Sequence, residues 1–140
     1  MSFREKSAWI TLISVLLTFG SYYGALATGL VPPMSMASFH FGLSSIVALI
    51  VLQVVLHLVA AMLNPADART PRDEREKLIQ ARSHTAGYYV MMVGMVLVVL
   101  ATHIPALHGF MTTVYLGIGV MVVAALSVAI AQIVMFRRGA

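Results

Sequence analysis

Residues 41–63 read FGLSSIVALIVLQVVLHLVAAML and decide the fold class, because this stretch carries no fixed charge and a single histidine. A helix needs about 20 mostly apolar residues to cross roughly 30 Å of hydrocarbon. Residues 8–30, 85–103 and 110–136 also meet this requirement. Since backbone polar groups in lipid must pair within their own segment, such runs predict helices. We therefore expect an all-α membrane protein, a four-transmembrane-helix antiparallel bundle.

The composition agrees with a chain that lies mostly in lipid. Of its 140 residues, 60% are apolar and 10% are charged. Soluble domains average about 45–50% apolar residues and about 25% charged residues. The length predicts a single integral membrane domain over residues 1–140. Because the chain has no cysteine, disulfides, thiolate-ligated zinc, iron–sulfur clusters and thiol nucleophiles are excluded.

The fixed charges lie on one side of this layout. All nine Lys and Arg residues and all five Asp and Glu residues precede the first span, separate the second from the third, or follow the fourth. The positive-inside rule therefore places both termini and the linker of residues 64–84 in the cytoplasm. We expect the membrane itself to be a prokaryotic inner membrane. The net charge of +4 then faces anionic lipid of the bilayer, and no nucleic-acid partner is expected.

The linker contains a helix start. Thr70 can act as the N-cap, and Pro71 suits the first helical position. Asp73 and Glu74 follow in the first turn, where the helix dipole favours negative charge. We expect one helix from about residue 71 through the third span to about residue 103. Residues 71–84 form either a solvated charged segment that orients this span or a docking surface for a soluble partner.

A resemblance to a known family begins in the same linker. Residues 73–79 read DEREKLI, and Ser83 and the tetrapeptide GYYV of residues 87–90 follow. This pattern resembles an uncharacterised family of small four-span prokaryotic membrane proteins with a D-E-R-x-x-x-I segment before the third membrane helix. The resemblance implies the four-span layout, and some family members are encoded beside helix-turn-helix regulators. It implies no activity, ligand or catalytic residue.

The first span carries small and hydroxylated residues at helical spacing. These are Thr11, Ser14, Thr18, Gly20, Ser21 and Gly24. Small residues let membrane helices approach closely, and hydroxyl groups can hydrogen-bond between helices. The pattern therefore predicts helix association, either in the interior of the bundle or at a homodimer interface. A water-lined path along this span is the remaining interpretation.

Polar residues also occur inside the later spans. The predicted intramembrane cluster consists of Gln53, His57, Tyr88, Tyr89 and Gln132. A neutral His57 that is hydrogen-bonded to a tyrosine or glutamine side chain would satisfy these groups internally. An ionisable residue within a membrane also indicates a functional site, and histidine suits a proton relay.

Methionine and histidine residues gather near the two predicted outer loops. The candidate ligands are Met34, Met36, His40, His103, His108 and Met111. Thioether and imidazole groups suit copper, so a copper-type site is one hypothesis, and packing at the membrane surface is the other. Haem held between histidines of the second and third spans is a further alternative, although His40 and His57 lie on different helix faces.

The sequence contains none of the common enzyme signatures. There is no phosphate-binding G-x-x-x-x-G-K-[ST] motif, no G-x-S-x-G motif and no H-E-x-x-H motif. We therefore expect a non-catalytic membrane protein that acts through helix–helix association, as an accessory or regulatory subunit or as a homo-oligomer, with no cofactor predicted. The alternatives are a small transporter or channel with a path along the first span and His57, and a copper- or haem-binding protein.

Overall fold

Four long helices make up most of the described chain. The computed structural model describes residues 3–63, 65–66, 70–71, 73–107 and 109–138, without the side chains of residues 110 and 111. The helices are α1 (Phe3–Ala27), α2 (Met36–Leu63), α3 (Glu74–Ala101) and α4 (Phe110–Arg138), and a 3-10 turn covers Pro105–Leu107. Each of the four α-helices is long and apolar enough to cross a membrane, which confirms the expectation of four such helices.

Helices α1 and α4 form the centre of the arrangement. The extensive contacts join α2 to α1, α1 to α4, and α4 to α3. Helices α2 and α3 therefore lie on the outside, where most of their large apolar side chains are exposed. Four helices in this order are compatible with the expected four-helix bundle.

Contacts between charged side chains bring three helix termini together. Arg4 Nε of α1 lies 3.7 Å from Glu76 Oε2 of α3, and Arg137 Nε of α4 lies 3.5 Å from Glu5 Oε1. We call this side of the molecule the charged end. We call the opposite side the uncharged end. There the Tyr115 hydroxyl, near the start of α4, is hydrogen-bonded to Ser38, near the start of α2. Consecutive helices are therefore antiparallel.

Helix α2 begins at Met36, earlier than the expected start at residue 41. Ser35 Oγ accepts from the backbone N–H of Ser38 at 3.2 Å, and Ser38 Oγ accepts from the N–H of Ser35 at 3.1 Å. This reciprocal capping satisfies two backbone donors that a helix start would otherwise leave free. Met36 and His40 therefore belong to the first turns of α2, and not to an outer loop as expected.

Helix α3 begins at Glu74 and not at Pro71. Asp73 is the N-cap, and its side chain accepts from the Glu74 N–H at 2.7 Å. The Thr70 hydroxyl, which was expected to cap this helix, donates instead to the backbone oxygen of Ala66 at 2.9 Å. The helix then runs unbroken to Ala101, as the continuity of the sequence predicted, although residues 64, 67–69 and 72 of the linker lie outside the described part.

Two glycines set the distance between α3 and α4. A Cβ added to Gly87 would lie 2.3 Å from Val128 Cγ2, and one added to Gly94 would lie 2.5 Å from Val120 Cγ1. Both separations are far shorter than a van der Waals contact between carbon atoms. The close packing of α3 on α4 therefore depends on the absence of side chains at these two positions.

Candidate functional site

His57 of α2 is hydrogen-bonded through both ring nitrogens. Its Nδ1 lies 2.7 Å from the backbone oxygen of Gln53, and its Nε2 lies 2.7 Å from Ser7 Oγ of α1. Because a carbonyl oxygen only accepts, Nδ1 carries a proton, and the neutral ring accepts from the Ser7 hydroxyl at Nε2. A protonated ring would donate to the same oxygen, so this contact can persist in both charge states.

The other residues expected around His57 lie elsewhere. Tyr88 and Tyr89 of α3 are exposed, and their ring centroids are 5.7 Å apart. Gln132 of α4 donates through its side-chain amide to Ser83 Oγ of α3 at 3.2 Å. The expectation that a tyrosine or glutamine side chain satisfies His57 is therefore wrong. The reason is the packing order, since α2 contacts α1 extensively and so brings His57 to Ser7.

A small cavity lined by both polar and apolar side chains adjoins the Ser7 side of this pair. Its volume is about 80 Å³, and its lining includes Arg4, Ser7, Glu76 and Gln132. Arg4 also donates through Nη2 to the backbone oxygen of Thr70 at 3.3 Å. A cavity of this size can hold several water molecules, because one buried water molecule needs only about 10–15 Å³ of such space. Ser7 therefore lies between this cavity and His57, and contacts His57 by one hydrogen bond.

Of the predicted hydroxyl residues of α1, some face the interior, and Thr18 and Ser21 hydrogen-bond within their own helix. Ser14 and Thr18 are buried, Thr11 is half-buried, and Ser21 is exposed. The Thr18 hydroxyl donates to the backbone oxygen of Ser14 at 2.7 Å, and the Ser21 hydroxyl donates to that of Thr18 at 2.8 Å. These bonds do not connect helices, so the hydroxyl groups of Thr18 and Ser21 do not make the interhelical contacts that the spacing suggested.

The two glycines of the predicted association motif point outward. Gly20 and Gly24 are exposed, and a Cβ added to either would meet no atom within 4 Å. Ile13 and Leu17 are exposed on the same side of the helix, at steps of four and three residues. We call Ile13, Leu17, Gly20 and Gly24 the outer face of α1. Packing within one chain does not use this face.

The candidate metal ligands lie toward the uncharged end. Met34, Met36, His40 and His103 are all exposed. His108 and the side chain of Met111 lie outside the described residues. Among the residues that the structure describes, no three His, Cys, Asp or Glu side chains are grouped to hold a metal ion. The copper and haem hypotheses stay predictions.

A tyrosine cluster near the uncharged end was not predicted from the sequence. Tyr22 is 0% exposed. Its ring contacts those of Phe19, Tyr23, Phe41 and Tyr115. The Tyr23 hydroxyl donates to the backbone oxygen of Tyr115 at 3.0 Å, which ties α1 to α4. The burial of Tyr22 could have been predicted from its spacing, because Tyr22 lies two positions after Gly20 and so faces away from the glycine side of the helix.

Comparison with known proteins adds no relative to this description. No protein-family model, no curated protein and no solved structure matches the chain. The family resemblance of residues 73–79 therefore stays an expectation from the sequence, and a function has to be argued from the geometry of the helices.

Proposed function

We propose that the protein is an integral protein of a prokaryotic inner membrane that acts without catalysis, by association of α1 with α1 of a second copy. The observation that carries this proposal is the outward position of Gly20 and Gly24. A glycine costs helix stability relative to alanine, by about 1 kcal/mol in water. Two glycines on a face that the chain itself leaves open are understandable if another helix packs there.

The remaining residues of the outer face support the same proposal. Ile13, Leu17, Gly20 and Gly24 follow one another at steps of four, three and four residues, which places them in one line along the helix. Close approach at the glycines would let Ile13 and Leu17 pack against the partner helix. The buried residues Val15 and Tyr22 lie on the opposite side of α1, so self-association leaves the packing of the single chain unchanged.

The double substitution Gly20→Leu with Gly24→Leu is expected to weaken self-association about tenfold or more, which corresponds to about 1.4 kcal/mol. The added side chains keep the two helix backbones apart. The measurement is single-molecule photobleaching of labelled protein in liposomes over a series of protein-to-lipid ratios, which gives the fraction of dimers.

A matched control exists on α2, where Ser44 and Ala48 are exposed at the same spacing of four residues. Ser44→Leu with Ala48→Leu adds comparable bulk to another lipid-facing helix and should leave the dimer fraction unchanged. Equal dimer fractions for the α1 variant and the wild-type protein would contradict the proposal, and so would a loss of dimer confined to the α2 variant.

The proposed orientation places the charged end in the cytoplasm. Since the chain has no cysteine, single cysteines can report on each side. We expect a membrane-impermeant maleimide to label Ala106→Cys in intact cells, and to label Lys77→Cys only after permeabilisation, because anionic lipid and the positive-inside rule hold basic segments inside. The reverse pattern, or labelling of both positions in intact cells, would overturn this orientation.

A further inference from the structure

A wide groove runs along α3 and α4 beside Tyr23 of α1. Its volume is about 680 Å³, which lies within the range of about 300–1,000 Å³ that is typical of ligand sites. Its lining is mostly apolar and includes the exposed side chains of Tyr89, Val93, Leu97 and Val123. Because these side chains are exposed, the groove opens to the surroundings of the helices. We call this space the α3–α4 groove.

The groove is open because α1 and α3 pack on different parts of α4. Each of them contacts α4 extensively, and the ion pair of Arg4 with Glu76 joins them to each other at the charged end. Gly119 of α4 lines the groove, and a Cβ there would be 3.2 Å from the Tyr23 hydroxyl oxygen. The absence of a side chain at Gly119 therefore leaves room beside Tyr23.

Both helix walls of the groove lead to an arginine at the charged end. On α3, Arg82 precedes Tyr89 by seven residues, and on α4, Arg137 follows Val123 by fourteen residues. Seven residues make nearly two full turns, so each arginine lies on the groove side of its helix. Arg137 is paired with Glu5. Arg82 is exposed, and among the described residues its guanidinium has no ion pair or hydrogen bond, so its positive charge is not neutralised.

The length of the groove matches one leaflet of a bilayer. At about 1.5 Å per residue, Arg82 and Tyr89 are about 10 Å apart along α3, and Tyr89 and Leu97 are about 12 Å apart. One leaflet contributes about 15 Å of hydrocarbon. Since tyrosine is enriched where hydrocarbon meets the headgroups, Tyr88 and Tyr89 mark this boundary. Arg82 then lies on the headgroup side, and the groove extends from Tyr89 toward the midplane.

We propose that the α3–α4 groove binds an anionic phospholipid from the leaflet at the charged end, with the phosphate on Arg82 and one acyl chain along the groove. The planar guanidinium matches the geometry of phosphate oxygens and stays charged at physiological pH. Basic pockets between membrane helices bind anionic headgroups in the same way. The apolar lining beyond Tyr89 suits a hydrocarbon chain, which has no hydrogen-bonding group to satisfy.

Charge favours this occupant over a second copy of the chain. The predicted layout places all nine Lys and Arg residues on one side of the membrane. A second copy in the same orientation would therefore bring its own basic residues to the level of Arg82, where like charges repel, whereas a phosphate group is attracted. No residue of the outer face of α1 lines the groove, so this site is independent of the proposed self-association.

The test is a competition between two lipids with the same acyl chains. Delipidated full-length protein is mixed with equal amounts of anionic phosphatidylglycerol and zwitterionic phosphatidylethanolamine, and native mass spectrometry resolves the bound lipid by mass. We expect the wild-type protein to retain phosphatidylglycerol about fivefold over phosphatidylethanolamine. This ratio corresponds to about 1 kcal/mol, the contribution of one basic side chain near an anionic surface.

Substitutions of basic residues on α3 locate the headgroup. Arg82→Gln should lower the lipid ratio to about one, and Arg82→Lys should keep most of the preference because it keeps the charge. Lys77→Gln is the matched control. It removes the same charge from an exposed position five residues earlier, which lies on the other side of α3, and it should keep the wild-type ratio.

Substitutions of valine on α3 locate the acyl chain. Val93→Trp adds bulk inside the groove and should lower the amount of retained phosphatidylglycerol and bring the ratio to about one. Val99→Trp makes the same change at a position that is 57% exposed and does not line the groove. This control should keep both the amount and the ratio.

Four results would overturn the proposal. A wild-type ratio of about one would show that the protein does not select anionic lipid, and equal losses in Arg82→Gln and Lys77→Gln would show a diffuse effect of charge. Equal values for Val93→Trp and Val99→Trp would place the acyl chain elsewhere. A retained uncharged molecule, such as a prenyl quinone, that phosphatidylglycerol does not displace would identify another occupant. The dimer fraction of Gly20→Leu with Gly24→Leu is read separately from this ratio.

Discussion

Gly87→Leu is expected to separate α3 from α4 and to lower the free energy of unfolding by about 3 kcal/mol, the upper range for an overpacked site. The first added carbon would lie 2.3 Å from Val128 Cγ2 and 3.3 Å from the backbone oxygen of Ala124. A valine side chain can move, but a helix backbone cannot move without the whole of α4. Since the extensive contacts of α3 are with α4, the ion pair of Arg4 with Glu76 would do little to hold α3 in place without them.

The measurement is unfolding in mixed micelles with increasing SDS, followed by the fluorescence of the single tryptophan and by circular dichroism. Gly117→Leu is the matched control, because a Cβ at Gly117 of α4 meets nothing within 4 Å. Combining Gly87→Leu with Val128→Ala should recover part of the loss, since the two side chains compete for one space. Equal stability of Gly87→Leu and Gly117→Leu would show that the close contact of α3 and α4 is not required.

The number and type of helices could be predicted from the sequence because lipid imposes a strong rule. An uncharged apolar run such as residues 41–63 has few alternatives to a helix when every backbone group must pair internally. The position of the charges was equally informative, since the ion pair of Arg4 with Glu76 joins two segments that the sequence placed on one side. These features depend on composition over long stretches, so single residues matter little to them.

The packing partners of each helix could not be predicted in the same way. Helix α2 is apolar on all sides, so its sequence marks no face for a neighbour. The pairing of His57 with Ser7 followed from the contact of α2 with α1 and not from a local signal. Small residues likewise do not show which helix face is buried within one chain. Gly87 lies in a contact between two helices, whereas Gly20 faces outward.

The helix starts differed from expectation where two residues could serve as caps. Thr70 and Asp73 are both acceptable N-cap residues, and in the structure Asp73 caps the helix while the Thr70 hydroxyl donates to Ala66 in the preceding turn. The Ser35 and Ser38 pair was recognisable as a reciprocal cap, but the capping motif usually has Glu or Gln at the second position. The cap expected from the sequence was Thr70 alone, and the cap in the structure is Asp73.

Tyr22→Ala is expected to lower the free energy of unfolding by about 3 kcal/mol, the low end of the range for large aromatic residues in buried sites. Tyr22 is 0% exposed and, with Val15 and Phe19, forms the buried cluster between α1, α2 and α4. The low end applies because helices in a membrane gain little from the hydrophobic effect, so the loss is mainly one of packing contacts. The same SDS titration measures it.

Two further tyrosine variants separate the ring from the hydroxyl. Tyr22→Phe should change stability by about 1 kcal/mol or less, because it removes one hydroxyl group and keeps the packing of the ring. Tyr89→Ala should also have a small effect, since Tyr89 is 64% exposed. If Tyr22→Ala were as mild as Tyr89→Ala, the aromatic cluster would not be the centre of packing. If Tyr22→Phe were as damaging as Tyr22→Ala, a polar contact of the hydroxyl, and not the packing of the ring, would account for the contribution of Tyr22 to stability.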